Sequence, residues 1–394
     1  MSRSQLFGSL CAMVFLVNLA RVIYAPLLVP LQQTFDVTEA TLGLITALAW
    51  FGSASPRFPA GYLLTKTSRM AVVVGSGIVL TGSALLAAAA PSIEVIMVGA
   101  FCMGLASGPY FIAAGPLLSE LFPGRVGRVL GVHGAASQFA AVGAAPFVLV
   151  VLAFGSWRAT FAVIAALTAA VTVVLALVGR RADLPDAGAA DRDLLGAARA
   201  QWRIILAGIA FVSLTGLVWN GVFNFYVIYM IQAKSLSEPM ANALLTVLFA
   251  AGIPAFVVGG DFAERLPTVP FVIGISVAFA LSLLALATVT GLLAVVAVTA
   301  VVGFVVHCLF PAVDTYILGS VPDEHRASTY AAFSGTVMLP QAIGSVAFGV
   351  VRTAGVGWDA LARWSALGLL LAMGVLVGLY ADGRLPSAGV PAER

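Results

Sequence analysis

Charge is scarce in this chain. Asp, Glu, Lys and Arg together make up 9% of its 394 residues, against roughly 25% in an ordinary soluble domain. So few ionic groups cannot cover a water-facing surface, which excludes a soluble globular fold and weighs against a large soluble domain at either end. Cysteine is nearly absent as well. Cys11, Cys102 and Cys308 are odd in number and fall within apolar stretches, so no disulfide framework is expected and each reads as a small apolar filler. Histidine is limited to His133, His307 and His325, and neither an HExxH nor a CxxC pattern occurs. Enzyme chemistry built on clustered His, Cys, Asp or Glu has little to draw on, so no enzyme activity, metal or cofactor is expected. The net charge of +3 makes no case for nucleic acid as a partner.

What the chain has in abundance is apolar surface: hydrophobic residues make up 61% of it and the mean hydropathy is +1.06. The lipid bilayer must be its solvent. A spanning helix needs about 20 mostly apolar residues, and the apolar runs predict twelve spans, an all-α membrane protein. The first six cover 6–31, 41–63, 70–90, 93–118, 128–153 and 158–178. The second six cover 203–231, 239–259, 269–288, 291–318, 327–352 and 360–381. The opening segment is not read as a signal peptide, because Asn18 and Arg21 interrupt its apolar run and a second apolar stretch follows directly. The expected organisation is a six-helix bundle over 1–179, a linker over 180–203 and a second six-helix bundle over 204–394. The linker carries Pro185 and four aspartates among basic residues. Its part from Asp191 to Arg203 reads either as an amphipathic surface helix or as a flexible tether.

Basic residues set the orientation. With the N-terminus inside, the outer side carries only Arg158, Lys234, Arg352 and Arg363. Apart from Arg21 and Arg57, which lie within spans, all the other lysines and arginines fall on the inner side. Both termini are therefore expected in the cytoplasm, with the protein in the plasma membrane as a monomer.

A shift of 199 residues superposes several local features. Gly61 to Lys66 falls on Gly260 to Arg265, Pro123 on Pro322, and Thr38-Glu39 on Ser237-Glu238. The hydroxyl residues of the last pair are expected helix N-caps. Trp157 and Trp358 nearly match, at an offset of 201. A common offset between halves of six spans each points to duplication.

At these residues the sequence resembles the major facilitator superfamily over its whole length. The loop between helices 2 and 3 of that family carries a glycine, an acid and basic residues. Here the loop reads Gly61-Tyr-Leu-Leu-Thr65-Lys66-Thr-Ser-Arg69, with Thr65 and Ser68 in place of the acid and second glycine. The second copy, Gly260 to Arg265, keeps its acid as Glu264. Gly61, Lys66, Arg69, Gly260, Glu264 and Arg265 are thereby assigned to a conformational loop motif. A basic residue of the family's fourth helix is missing near Ala100, and its antiporter glycine-proline pattern is only echoed in Gly143-Ala-Ala-Pro146. The resemblance implies two six-helix bundles related by a pseudo-two-fold axis, a cavity lined by helices 1, 2, 4, 5, 7, 8, 10 and 11, and alternating access by a secondary active transporter.

Polar groups inside spans are costly and mark functional candidates. Arg21 lies deep in the first span with Asn18 one turn before it, and the offset pairs Arg21 with Asn220, with Asn224 a turn on. A guanidinium presents forked donors suited to carboxylate or phosphate, so these four residues are read as substrate-binding; the other reading is a structural arginine. Arg57, near the cytoplasmic end of the second span, either snorkels to that surface or contacts the substrate anion, since its arginine-x-proline arrangement resembles some anion-transporting branches, although their Asn- and Gly-rich fifth and eleventh helices are missing. Gln138 and Gln341, at mid-depth in spans 5 and 11, either line the site or bond between helices. His307 and Asp314 are seven residues apart, hence on one face of a helix; they are either candidates for carrying a coupling proton or a packed, hydrogen-bonded histidine and an aspartate paired with a loop residue such as Arg326. Tyr24, Tyr110 and Trp219 are candidates for shaping a pocket, and Gly104 with Gly108 for close helix packing. The leading reading is a proton-coupled symporter of a small organic anion. The alternative is an efflux transporter for drugs or amphipathic metabolites; a membrane sensor or polytopic enzyme ranks below both.

Overall fold

The computed structural model describes residues 3–122, 124–180, 196, 199–321 and 323–383, without the side chains at 58, 65, 318, 323–328 and 331. Most of the linker, Pro123 and Pro322, and the side chains of Thr65, His325 and Arg326 lie outside this description. Contacts divide the chain into two compact units, Met1–Arg192 and Asp193–Arg394. The described residues form α-helices and no strand.

In the first unit the helices are α1 (Arg3–Val22), α2 (Tyr24–Phe35), α3 (Glu39–Ala54), α4 (Arg57–Lys66), α5 (Arg69–Ala88), α6 (Ile93–Leu121), α7 (Val126–Phe154) and α8 (Trp157–Gly179). In the second they are α9 (Trp202–Asn224), α10 (Tyr226–Lys234), α11 (Glu238–Ala250), α12 (Gly252–Arg265), α13 (Thr268–Thr288), α14 (Leu292–His307), α15 (Leu309–Gly319), α16 (Asp323–Thr353) and α17 (Trp358–Ala381). Among the described residues eleven helices are long and apolar enough to cross a membrane. The remaining expected span, 41–63, is delivered in two pieces, α3 of 16 residues and α4 of 10.

Four of the five breaks share one feature. Ile23, Pro56, Ala251 and Cys308 each stand three residues before a proline: Pro26, Pro59, Pro254 and Pro311. Proline has no N–H for the carbonyl four residues earlier and its ring crowds that carbonyl, so the helix bends there. The break at Phe225 has no such proline. There Asn224 donates from its side chain to the Asn220 carbonyl at 2.9 Å, a local bond that competes with the helical ladder.

Helix pairing repeats between the units. In the first, α1 packs on α7, α3 on α6, and α5 on both α6 and α8. In the second, α9 packs on α16, α11 on α14, and α13 on both α14 and α17. Two glycines at the 199 offset allow close approaches: a Cβ on Gly104 would stand 2.3 Å from the Ala49 carbonyl oxygen, and one on Gly303 2.1 Å from that of Leu248. Asp36 and Ser235, at the same offset, both take positive φ where the first helix pair of each unit ends. Thr38 caps α3 by accepting from the Thr41 amide. Ser237 occupies the corresponding position before α11 but makes no capping bond, so only one of the two expected caps is made. The indoles of Trp157 and Trp358, which begin α8 and α17, donate to Thr34 and Gln232 respectively. Outward-facing Phe154, Val257, Leu293 and Leu371 are exposed, as lipid-facing side chains must be.

Candidate functional site

The first unit gathers its polar groups around Arg21. This residue is 9% exposed and ends α1, where the Pro26 bend turns the chain. One terminal nitrogen donates to Asn18 Oδ1, a turn earlier on the same helix. The other donates to Ser53 Oγ at 3.4 Å. Asn18 in turn donates to the Ser137 carbonyl of α7 at 2.7 Å, and Ser107 of α6 donates to Ser53 Oγ at 2.6 Å. Four of the six expected spans of this unit are thus linked in one hydrogen-bond network around the guanidinium. Its positive charge is met by aromatic faces, Trp50 at 4.9 Å and Phe111 at 5.0 Å, and its buried Nε has no hydrogen-bond partner. Among the described residues no carboxylate lies within ion-pair distance of Arg21.

Arg57 belongs to the same cluster. It is half-buried, donates from Nε to the Ser53 carbonyl at 3.3 Å, and holds its guanidinium 5.8 Å from the Phe111 ring centre. Gln138 is half-buried next in sequence to Ser137. Tyr24 donates to Met103 sulfur. Tyr110 donates to the Leu10 carbonyl at 2.7 Å; its hydroxyl also lies 3.0 Å from His133 Nε2, which must then be the donor in that contact.

In the second unit Asn220 and Asn224 are buried and bound to each other and to Ser345. Ser345 donates to Asn220 Oδ1 at 2.6 Å, and Asn224 Nδ2 donates to Ser345 Oγ at 3.1 Å. This triad joins α9 to α16 as Asn18 joins α1 to α7, leaving Asn224 Oδ1 buried without a partner. Gln341 packs its side chain against Gly216, where a Cβ would come within 2.6 Å.

His307 is 3% exposed and stands within an aromatic enclosure of Trp219, Phe249, Phe256 and Phe310, at ring separations of 5.3 to 6.0 Å. Its Nδ1 donates to the Gly303 carbonyl at 2.6 Å, which leaves Nε2 as the basic nitrogen of the neutral ring. The structure does not bring Asp314 to it. His307 lies near the end of α14 and Asp314 in α15, on either side of the one-residue break at Cys308. Asp314 accepts from Tyr330 at 3.0 Å.

Sequence reasoning missed the aromatic partners. Trp50, Phe111, Phe249 and Phe310 are unremarkable in a chain with aromatics throughout, yet Trp50 and Phe249, and Phe111 and Phe310, are 199 residues apart. The duplicated aromatic pair flanks Arg21 in one unit and His307 in the other.

Of the loop-motif residues, Gly61 is buried, Gly260 half-buried and Glu264 exposed. Lys66 lies over the Tyr62 ring. Arg69 pairs with Glu120 at the end of α6, 2.7 Å apart. The offset equivalents of that pair are Thr268 and Gly319, which cannot form one; instead Arg265 pairs with Asp261 one turn away on an exposed face.

A twelve-span α-helical membrane protein with two like-built units and polar clusters inside each is the architecture defined here. The chain belongs to the Major Facilitator Superfamily, whose family model matches residues 10–345 and 209–394. Among curated relatives it is similar to the purine ribonucleoside efflux pump NepI of Salmonella paratyphi B and of Salmonella typhimurium. Each match is 27% identical over 233 residues, 59% of this chain and 57% of the relative; the match thus spans little more than half the relatives' length. Among solved structures, a bacterial homolog of the human lysosomal transporter Spinster, inward-facing and unoccupied, matches with a TM-score of 0.77 at 15% identity, covering 98% of both chains. The same homolog in its occupied, inward-facing form matches equally, at 16% identity. These likenesses establish the fold.

Proposed function

We propose that the chain is a secondary active transporter of a small organic anion, working by alternating access in the plasma membrane with both termini cytoplasmic. The observation that carries this is Arg21: a buried cation inside a span, with no carboxylate in reach among the described residues and one N–H without a partner. A charge in such a place is expensive unless a ligand or a partner meets it, and its forked donors suit a carboxylate or phosphate. Asn18 and Ser53 hold the guanidinium in position. His307 is the proposed carrier of a coupling proton, since its basic nitrogen is left available. Asp314, held by Tyr330, remains a candidate further along the same expected span.

Efflux is the second reading, and similarity to nucleoside efflux pumps favours it. A flat heterocyclic solute would use Trp50 and Phe111 as stacking faces, and a carbonyl acceptor would still engage Arg21.

Thermal unfolding of the purified protein with a panel of small anions, nucleosides and cationic drugs separates the two. A ligand at a hundred times its dissociation constant adds about 2.7 kcal/mol. Stabilisation by anions that disappears in Arg21→Ala is the expected outcome; stabilisation by nucleosides alone would favour the efflux reading, and stabilisation by cations alone would make Arg21 structural. Counterflow of the stabilising compound in liposomes then tests transport itself.

A further inference from the structure

The triad of Asn220, Asn224 and Ser345 has a feature that linking α9 to α16 does not require. Three oxygens converge on one atom, Asn224 Nδ2: the Asn220 carbonyl at 2.9 Å, Asn220 Oδ1 at 3.2 Å and Ser345 Oγ at 3.1 Å. A primary amide has two hydrogens, so three acceptors face a nitrogen that serves two of them at once. A fourth oxygen, Asn224 Oδ1, is buried without a partner among the described residues, and an unpaired buried acceptor is costly. All three residues are at most 2% exposed. Oxygens crowded round one point, with too few hydrogens to serve them, are what a bare cation completes.

The two helices also indicate which cation. α9 contains no acidic residue, and the acids of α16, Asp323 and Glu324, stand at its start. Every ligand is therefore neutral, which suits a monovalent ion better than the divalent ions that carboxylates hold. Close contacts bracket the triad: a Cβ on Gly344 would stand 2.0 Å from the Leu217 carbonyl oxygen, and one on Gly221 2.4 Å from the Phe348 ring. The helices cannot spread around the oxygens, and a small fixed space favours sodium over the larger potassium. Gln341, one turn before Ser345, is half-buried against Gly216 and offers a polar approach. Asn220 also stands at the 199 offset from Arg21: where one unit carries a covalent cation, the other places neutral oxygens.

We infer that Asn220, Asn224 and Ser345 form a sodium-binding site within the second unit. Turning the Asn224 amide withdraws Nδ2 from the point it holds and presents Oδ1. The ion then takes Asn220 Oδ1, the Asn220 carbonyl, Ser345 Oγ and Asn224 Oδ1 as ligands. Side-chain bonds beside the Phe225 break are exchanged for ion contacts. The site goes beyond the anion reading of Arg21 and does not depend on it.

The test is equilibrium binding of radioactive sodium to the purified full-length protein. The wild type should bind it saturably, with unlabelled sodium displacing it at least about tenfold more effectively than potassium. Ser345→Ala and Asn224→Leu each remove one ligand oxygen and should weaken binding at least about tenfold. Thr215→Val removes a different buried hydrogen bond of α9, to Ser276, and should lower the unfolding temperature while leaving sodium affinity unchanged. Asn224→Asp keeps the shape and adds a charge, so in alkaline buffer it should bind sodium at least about tenfold more tightly. No saturable binding by the wild type, equal displacement by potassium, or wild-type affinity in Ser345→Ala and Asn224→Leu overturns the inference. So does a loss in Thr215→Val as large as in those two. Should the truncated variants fail to fold, Asn224→Asp decides, and unchanged affinity there overturns the site. Anion binding at Arg21 is untouched by any of these results.

Discussion

At the scale of single residues, the two units meet the same problem, a nitrogen base inside a membrane-spanning bundle, in different ways. Arg21 is always cationic, and the unit answers it with hydroxyl and amide acceptors and two aromatic faces. His307 is accommodated as a neutral ring whose Nδ1–H is used by Gly303. Each solution makes a prediction. Phe111→Leu removes the ring shared by both guanidiniums while keeping an apolar side chain. Cation–π contacts are each worth roughly 0.5–2 kcal/mol, so anion affinity should fall about tenfold, read by titrated thermal stabilisation, with little loss of unfolding temperature. For His307, we predict that His307→Gln keeps solute exchange in liposomes but loses accumulation driven by a pH gradient. Gradient-driven accumulation at the wild-type level would remove His307 from the coupling role.

At the scale of elements, the proline and glycine positions decide where helices bend and how near they come. Gly104 and Gly303 put helix backbones in contact with the carbonyls of Ala49 and Leu248, where no side chain fits. Gly104→Val should therefore destabilise the protein by several kcal/mol, as strained overpacking does, and lower the unfolding temperature. Gly115→Ala, with nothing within 4 Å of the added Cβ, should be neutral or slightly stabilising, because alanine is the better helix former. Comparable losses in both variants would mean that the close approach does not matter. These elements also show what was legible in advance. The spans were readable because bilayer length and apolar composition constrain a sequence strongly. Arg21, Asn18 and Asn220 stood out because polar groups are rare in such runs. Trp50 and Phe111 did not, since an aromatic residue carries no mark of which neighbour it faces until helices are packed. The one-residue break at Cys308 between His307 and Asp314 was not legible, although Pro311 three residues further on marks where it falls.

At the scale of the whole molecule, duplication has been followed by divergence. The 199-residue offset preserves the close-packing Gly104 and Gly303, the positive-φ residues that end the first helix pair, and the aromatic pairs. It does not preserve charge. Arg69–Glu120 has no counterpart at Thr268 and Gly319, and the nitrogen base of each site comes from a different span. Orientation is the property that this uneven charge ought to fix, because basic residues are retained on the cytoplasmic side during insertion. Cys11, Cys102 and Cys308 form no disulfide, so a cysteine-free variant provides a background for single reporters. Lys66→Cys and Ser237→Cys place exposed thiols in loops assigned to opposite sides. A membrane-impermeant maleimide added to intact cells should label Ser237→Cys and spare Lys66→Cys, with the pattern reversed in inverted vesicles. Labelling of Lys66→Cys from outside would invert the topology. It would put the Arg69–Glu120 pair at the outer surface, and any role of that pair in gating would then concern the outer opening.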